Sequence, residues 1–180
     1  MRLAALLLLL AAASCGKTII APRPPPGVAV ASITVTSKAF AANAAIPVEH
    51  TCDGRDLLPP VTWSAPPQGT RALVVVLEDP DVSSGVFTHF ILMNVSAEAT
   101  SVTEGADFAA MGAAIGVNDF GNARYNGPCP PKGEAHRYRF RVVALDAPLK
   151  LNEGATREAL DAAMDGHLIG EGVLQGYFVH

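Results

Sequence analysis

The sequence has little charge of either sign and none of several short motifs that mark enzymes. Charged residues make up 17% of the 180 residues, and 13 Lys and Arg stand against 17 Asp and Glu. This composition excludes a disordered chain, and an isoelectric point near 5.7 argues against a nucleic-acid partner. No Gly-x-Ser-x-Gly, His-Glu-x-x-His, Gly-x-x-x-x-Gly-Lys or Cys-x-x-Cys motif occurs. We therefore predict a protein that is not an enzyme and needs no cofactor.

A long hydrophobic run occurs at the N-terminus, where it has the features of an export signal. Arg2 precedes residues 3–13, which are all Leu or Ala. About eleven apolar residues are too few for a helix that spans a bilayer, so we predict a signal peptide over residues 1–14.

The residues after this run predict an anchor. Ala-Ala-Ser followed by Cys15 resembles the cleavage box of bacterial lipoproteins, so we predict that Cys15 is lipidated. Ordinary cleavage after Ala13 is the alternative. The expected location is the bacterial cell envelope, facing the periplasm. The residue after Cys15 is Gly16 and not an acidic retention signal, which favours the outer membrane.

Proline and cysteine divide the rest of the chain. A run of four prolines and one arginine over residues 22–26 favours an extended backbone, so residues 15–31 are interpreted as a lipidated Cys and a Pro-rich linker. Residues 32–180 form the predicted domain. Cys52 and Cys129 remain as an even pair in an oxidising compartment. Two alternatives stay open for them, a disulfide or two separate small buried residues.

The domain is predicted to be mainly β, an antiparallel β-sandwich with one clear α-helix late in the chain. Thr156 can cap that helix, and apolar positions continue at helical spacing from Leu160 to His167 and Leu168. Strands are predicted from β-branched runs, from one buried apolar run and from alternation of apolar with polar residues. They cover residues 33–36, 73–77, 87–95, 136–146 and 173–179.

Four segments carry polar groups that an apolar core does not require. They are Asp79-Pro80-Asp81, His89 within an apolar strand, the Gly- and Pro-rich loop 127–133, and His136 with Tyr138 on one face of a strand. Taken singly, each has a structural explanation: a turn, a hydrogen-bonded core histidine, an exposed loop and an ordinary core tyrosine. Taken together, the same residue types can line one rigid pocket.

These segments resemble the phosphatidylethanolamine-binding protein family, and specifically its bacterial, Raf kinase inhibitor-like branch. The six matching segments occur in family order: Cys52-Asp53-Gly54, Leu58-Pro59-Pro60-Val61-Thr62-Trp63, Asp79-Pro80-Asp81, Thr88-His89-Phe90, Gly127-Pro128-Cys129-Pro130-Pro131 and His136-Arg137-Tyr138. The resemblance implies a β-sandwich with a small anion pocket. Its implied ligand-binding residues are Asp79, Asp81, His89, Gly127, Pro130, Pro131, His136 and Tyr138. Ser83 departs from the family pattern, which has a second proline there.

A phosphoethanolamine-like ligand carries an anionic phosphate and a cationic ammonium group. Imidazoles and the Tyr138 hydroxyl can serve the phosphate, but a carboxylate beside it is repulsive by about 4 kcal/mol at 4 Å and an effective dielectric of 20. We therefore expect Asp79 and Asp81 to contact a cation, to share a proton, or to hydrogen-bond His and Tyr at a distance from the anion.

The resulting prediction is a membrane-anchored, non-enzymatic ligand-binding or regulatory protein. Its expected partner is a small anion or a phospholipid headgroup. An inhibitor of a kinase or protease partner is the alternative, and a cryptic enzyme or metal site formed by the same two Asp and two His residues is a third. A protein partner and a homodimer also remain open, whereas no nucleic acid is expected.

Overall fold

The computed structural model describes residues 21–180, so the predicted signal peptide and Cys15 lie outside the described residues. Within residues 21–180 no helix has the length and apolar character needed to cross a membrane. The strands are β1 Ala31–Ser32, β2 Val35–Ser37, β3 Val61–Trp63, β4 Ala72–Asp79, β5 Phe87–Val95, β6 Ser101–Val102, β7 Ala114–Ile115, β8 Ala135–Leu145 and β9 Leu168–Val179. The helices are a 3-10 turn at Val48–His50 and α1 at Arg157–Met164.

The larger sheet has six strands in the order β1-β9-β8-β4-β5-β7. Its four inner strands pair antiparallel, and β7 joins β5 antiparallel as well. At the other edge, however, β1 runs parallel to β9, with Ala31 opposite Gly170. The prediction of a wholly antiparallel sandwich is therefore wrong at this edge. The sheet is mixed because the chain enters it beside β9 in the same direction.

The smaller sheet has three antiparallel strands in the order β2-β3-β6. Its apolar side chains and those of the larger sheet belong to one buried cluster, so the two sheets share a core. Trp63 of β3 belongs to this shared core. Its ring is buried there, and its indole N–H donates to the Ala99 carbonyl at 2.8 Å.

Strand β4 is buried along its whole length because both of its faces are covered. Leu73, Val75 and Leu77 belong to the core between the sheets. Val74 and Val76 point to the other face, where they belong to a second buried cluster that includes Leu160 and Met164 of α1. This double burial accounts for the continuous apolar run in the sequence.

Helix α1 begins as predicted but ends earlier. The Thr156 hydroxyl accepts a hydrogen bond from the Ala159 amide at 3.3 Å, which caps the first turn. The predicted helical continuation through His167 and Leu168 is wrong, because α1 ends at Met164 and Leu168 already begins β9. Gly166 lies between them with a φ of 83°, a conformation that reverses the chain direction at the helix end.

A buried charge network fixes α1 to the end of β4. Arg157 donates to Glu78 at 3.0 Å and to Asp161 at 2.9 Å, and all three side chains are buried. Arg141 adds a second cation 3.6 Å from Glu78. Glu78 immediately precedes Asp79 in the chain, so this network also holds the strand end that carries Asp79.

Candidate ligand-binding site

A pocket of about 240 Å³ opens at the strand ends on one side of the larger sheet. Strand β4 ends on this side, whereas β5 and β8 begin there, because both pair antiparallel with β4. This geometry brings residues that are distant in sequence to one place. The pocket is lined by Asp79, Val82, Phe87, His89, Phe120, Cys129, Pro130, Pro131 and His136.

Asp79 and His136 form the charged pair of the pocket. His136 Nδ1 lies 2.7 Å from Asp79 Oδ2, and both residues are buried. Burial favours the neutral imidazole, but the hydrogen bond and the charge of Asp79 outweigh it and raise the pKa of His136. Glu134 approaches Nε2 at 3.4 Å through a side chain that is 60% exposed. A ligand can displace that long contact and take the Nε2–H.

His89 is held in one tautomer by the backbone. Its Nδ1 lies 3.0 Å from the carbonyl oxygens of both Asn126 and Gly127. Carbonyls only accept, so Nδ1 carries the hydrogen and Nε2 is the nitrogen left for a ligand. Burial lowers the pKa of His89 despite these bonds. The two pocket histidines therefore differ: His136 favours the charged form and His89 the neutral form.

Aromatic rings enclose His89. Phe87, Phe120 and Tyr138 each meet its ring edge to face, with centroids 5.2, 5.3 and 5.3 Å away. The Tyr138 hydroxyl is buried, and no atom of the described residues meets it with full hydrogen-bond geometry, although the Asp79 carboxylate and the Cys129 backbone lie close enough to interact with it. Burial and then the charge of Asp79 raise the pKa of Tyr138, so its hydroxyl stays protonated and can donate.

The pocket loop, residues 127–133, is held by contacts with residues 50–56. The Gly127 amide donates to Asp56 Oδ1 at 2.6 Å, and a Cβ at Gly127 would lie 2.2 Å from the His50 carbonyl oxygen. Only glycine fits this close approach. The structure also joins Cys52 and Cys129 in a disulfide, which ties the same loop to the segment that contains Asp56.

Five of the eight predicted ligand residues line the pocket: Asp79, His89, Pro130, Pro131 and His136. Gly127 supports the loop, and Tyr138 lies fully buried against His89. Asp81 turns away, since it accepts from the Arg137 amide at 2.8 Å and pairs with the Arg137 guanidinium. The hydrogen bond from Arg137 lowers the pKa of Asp81 to about 2.

Sequence reasoning missed residues that shape the site without carrying obvious chemistry. Val82, Phe87 and Phe120 line the pocket, and they carry no motif that marks a ligand residue. Asn118 is buried below them, where its amide donates to the His89 carbonyl at 3.0 Å and its oxygen accepts from the Phe120 amide at 3.1 Å. The sequence shows Asn118 in a loop, but only the structure shows that it is buried and bonded to the backbone of two pocket residues.

Comparison with known proteins agrees with the mainly β fold. Residues 36–179 match the phosphatidylethanolamine-binding protein family. The chain belongs to this family.

The relatives include archaeal and bacterial proteins. A UPF0098 protein of Methanothermobacter thermautotrophicus is 38% identical over 149 residues, covering 81% of this chain and 98% of the relative. A UPF0098 protein of Chlamydia pneumoniae is 40% identical over 147 residues, covering 79% of this chain and 95% of the relative.

Two solved structures share the fold. The crystal structure of a phosphatidylethanolamine-binding protein homologue from Chlamydia trachomatis has a TM-score of 0.76 and 37% identity, and the match covers 83% of this chain and 98% of that one. YbcL of Escherichia coli, described as a member of the mammalian family, also has a TM-score of 0.76, with 26% identity over 82% of this chain and 98% of that one.

Proposed function

We propose that this protein binds a small phosphate-bearing ligand, such as phosphoethanolamine or a phospholipid headgroup, without chemical conversion. One observation carries the proposal: His136, His89 and Asp79 meet in one pocket, with one imidazole biased towards the charged form and the other towards the neutral form. An imidazolium and a neutral imidazole offer a donor and an acceptor to the same ligand.

A phosphate monoester fits both groups. His136 Nε2–H donates to a phosphate oxygen, and the His89 Nε2 lone pair accepts from a phosphate hydroxyl or from an ammonium group. Asp79 is hydrogen-bonded to His136, which partly neutralises its charge. The imidazole ring therefore lies between the carboxylate and the phosphate. Phe87 and Phe120 then contact the organic part of the ligand, and their ring faces also suit an ammonium group.

Titration calorimetry with O-phosphorylethanolamine and with inorganic phosphate tests this proposal. We expect His89→Ala and Asp79→Asn to weaken binding of O-phosphorylethanolamine at least tenfold. The matched control is His167→Ala, because His167 directly precedes β9, its side chain is 45% exposed and it pairs with Asp146 just after β8. Unchanged affinity in both pocket variants would refute the pocket assignment, whereas equal affinity for phosphate alone would show that the ammonium end contributes nothing.

We also propose that the protein is exported and anchored by lipid at Cys15. The Leu- and Ala-rich N-terminus and the small residues before Cys15 support export, and the Cys52–Cys129 disulfide is typical of an oxidising compartment. Growth with a radiolabelled fatty acid tests the anchor. We expect label in the wild-type chain and none in Cys15→Ala, and equal labelling of both would contradict the assignment.

A further inference from the structure

The disulfide beside the pocket has further potential metal ligands around it. The Sγ atoms of Cys52 and Cys129 and a ring nitrogen of His180 all lie within 4.8 Å of one another. Both cysteines are exposed and His180 is half-buried, so small reagents can reach the group. Two sulfurs and one imidazole form a common zinc ligand set, provided that the sulfurs are thiolates.

The histidine of this cluster is already oriented as a metal ligand would be. His180 Nδ1 donates to the Pro130 carbonyl oxygen at 2.8 Å, so Nε2 is the nitrogen that a metal would bind. Nε2 in turn lies 3.1 Å from Asp53 Oδ1. A zinc ion bound at Nε2 therefore replaces this contact, and water completes its coordination.

We propose that reduction of the Cys52–Cys129 disulfide creates a zinc site formed by Cys52, Cys129 and His180, with water as the fourth ligand. A dithiol reductant breaks the S–S bond, gives two thiols and is itself oxidised to its disulfide. Zinc then displaces one proton from each thiol and forms two Zn–S bonds. The Sγ atoms must separate to about 3.8 Å for Zn–S bonds of about 2.3 Å, and rotation of the two exposed cysteine side chains can supply this movement.

The site would connect redox state to the ligand pocket. Cys129 and Pro130 line the pocket, and the Pro130 carbonyl is the group that orients His180. A zinc ion held by Cys129 and His180 therefore fixes the pocket loop through different bonds from those of the disulfide. The zinc proposal does not depend on the identity of the pocket ligand, so either can fail without the other.

Zinc competition against a coloured chelator tests the site directly. The full chain is used with Cys15→Ala in every variant, so that the third cysteine contributes no thiol. We expect about one zinc ion per reduced chain and none per oxidised chain. His180→Ala and Cys52→Ser should each weaken zinc binding of the reduced chain at least tenfold, whereas His167→Ala should leave it unchanged.

Near-ultraviolet circular dichroism of each reduced sample shows whether the zinc is held by folded protein. The proposal is overturned if the reduced chain binds no zinc, if oxidised and reduced chains bind it equally, or if His180→Ala binds as tightly as its parent. Zinc retained only by chains that have lost their near-ultraviolet signal also overturns it, because unfolded thiols then hold the ion.

Discussion

Single side chains decide how the pocket divides charge between its two histidines. His136 has a carboxylate partner and a raised pKa, whereas His89 has only carbonyl partners and a lowered one. Burial is the largest influence on both rings, and it lowers the pKa of His89 because the carbonyl bonds there are too weak to offset it. At His136 the hydrogen bond and the charge of Asp79 outweigh burial. The sequence shows both histidines but not the atoms that face them.

The Asp79→Asn variant should change the pH dependence of ligand binding. An imidazolium at His136 attracts phosphate, so the affinity should be high below the pKa of His136 and fall as pH rises through it. The substitution removes the carboxylate charge that raises this pKa, so the fall should begin at lower pH. Calorimetric titrations of O-phosphorylethanolamine across pH 5–9 measure the two profiles. Superimposable profiles would mean that His136 does not bind the anion as a cation.

Individual residue roles were partly predictable from the sequence. Asp79, His89 and His136 were identified because a charge or an imidazole inside apolar strands is unusual. Asp81 has the same chemistry, but it lies two residues after the end of the buried core of β4, where Arg137 on the neighbouring strand attracts it outward. Only the strand pairing reveals that competition.

Elements with strong periodicity were predictable, and elements defined by long-range pairing were not. The predicted strand at residues 87–95 coincides with β5, and alternation located β8 to within one residue at each end. By contrast, the predicted strand at residues 33–36 overlaps β2 only at residues 35 and 36, and the separate strand β1 just before it belongs to the other sheet. Two-residue strands such as β6 and β7 leave no periodic signal, because their partners alone define them.

The disulfide joins two loop elements and should affect both stability and binding. It closes a sequence separation of 77 residues, for which the chain-entropy account gives about 4.5 kcal/mol as an upper value. We expect Cys52→Ala with Cys129→Ala to lower the free energy of unfolding by about 2–4 kcal/mol and to weaken ligand binding through a looser pocket loop. Urea unfolding of both proteins measures the first effect and calorimetry the second.

The disulfide prediction has a clear contrary result. If the double variant unfolds at the same urea concentration as the wild type and binds O-phosphorylethanolamine equally, the remaining contacts hold the loop alone. The Gly127 amide bond to Asp56 and the His180 bond to Pro130 would then be sufficient.

At the scale of the whole molecule, a helix on one face and a second sheet on the other cover the central strands. The link between the helix and the sheet includes the buried Arg157, which contacts both Glu78 and Asp161. Arg157→Met should lower the free energy of unfolding by about 3–5 kcal/mol, because it leaves two buried carboxylates without this cation. Arg71→Met, at an exposed position, is the matched control for urea unfolding. Equal stability of the two variants would show that the network contributes little.

The overall topology lay beyond what the sequence could predict from its own patterns. Residues distant in the chain meet at one pocket because β4, β5 and β8 pair antiparallel and their pocket ends align. Periodicity predicts strands but gives no strand order, so the convergence was expected only through the family resemblance. The parallel β1–β9 edge shows a limit of the sequence pattern, since strands at irregular spacing with one late helix favour an antiparallel sheet throughout.

The most direct test of the account observes the imidazoles themselves during ligand binding. In nitrogen-15 spectra of the histidine side chains, O-phosphorylethanolamine should shift the Nε2 signals of His89 and His136 along one saturable curve. The signals of His167, at the other end of β9 from the pocket, should remain in place. Unmoved signals at both pocket histidines, or equal movement at His167, would contradict a ligand held between the two rings.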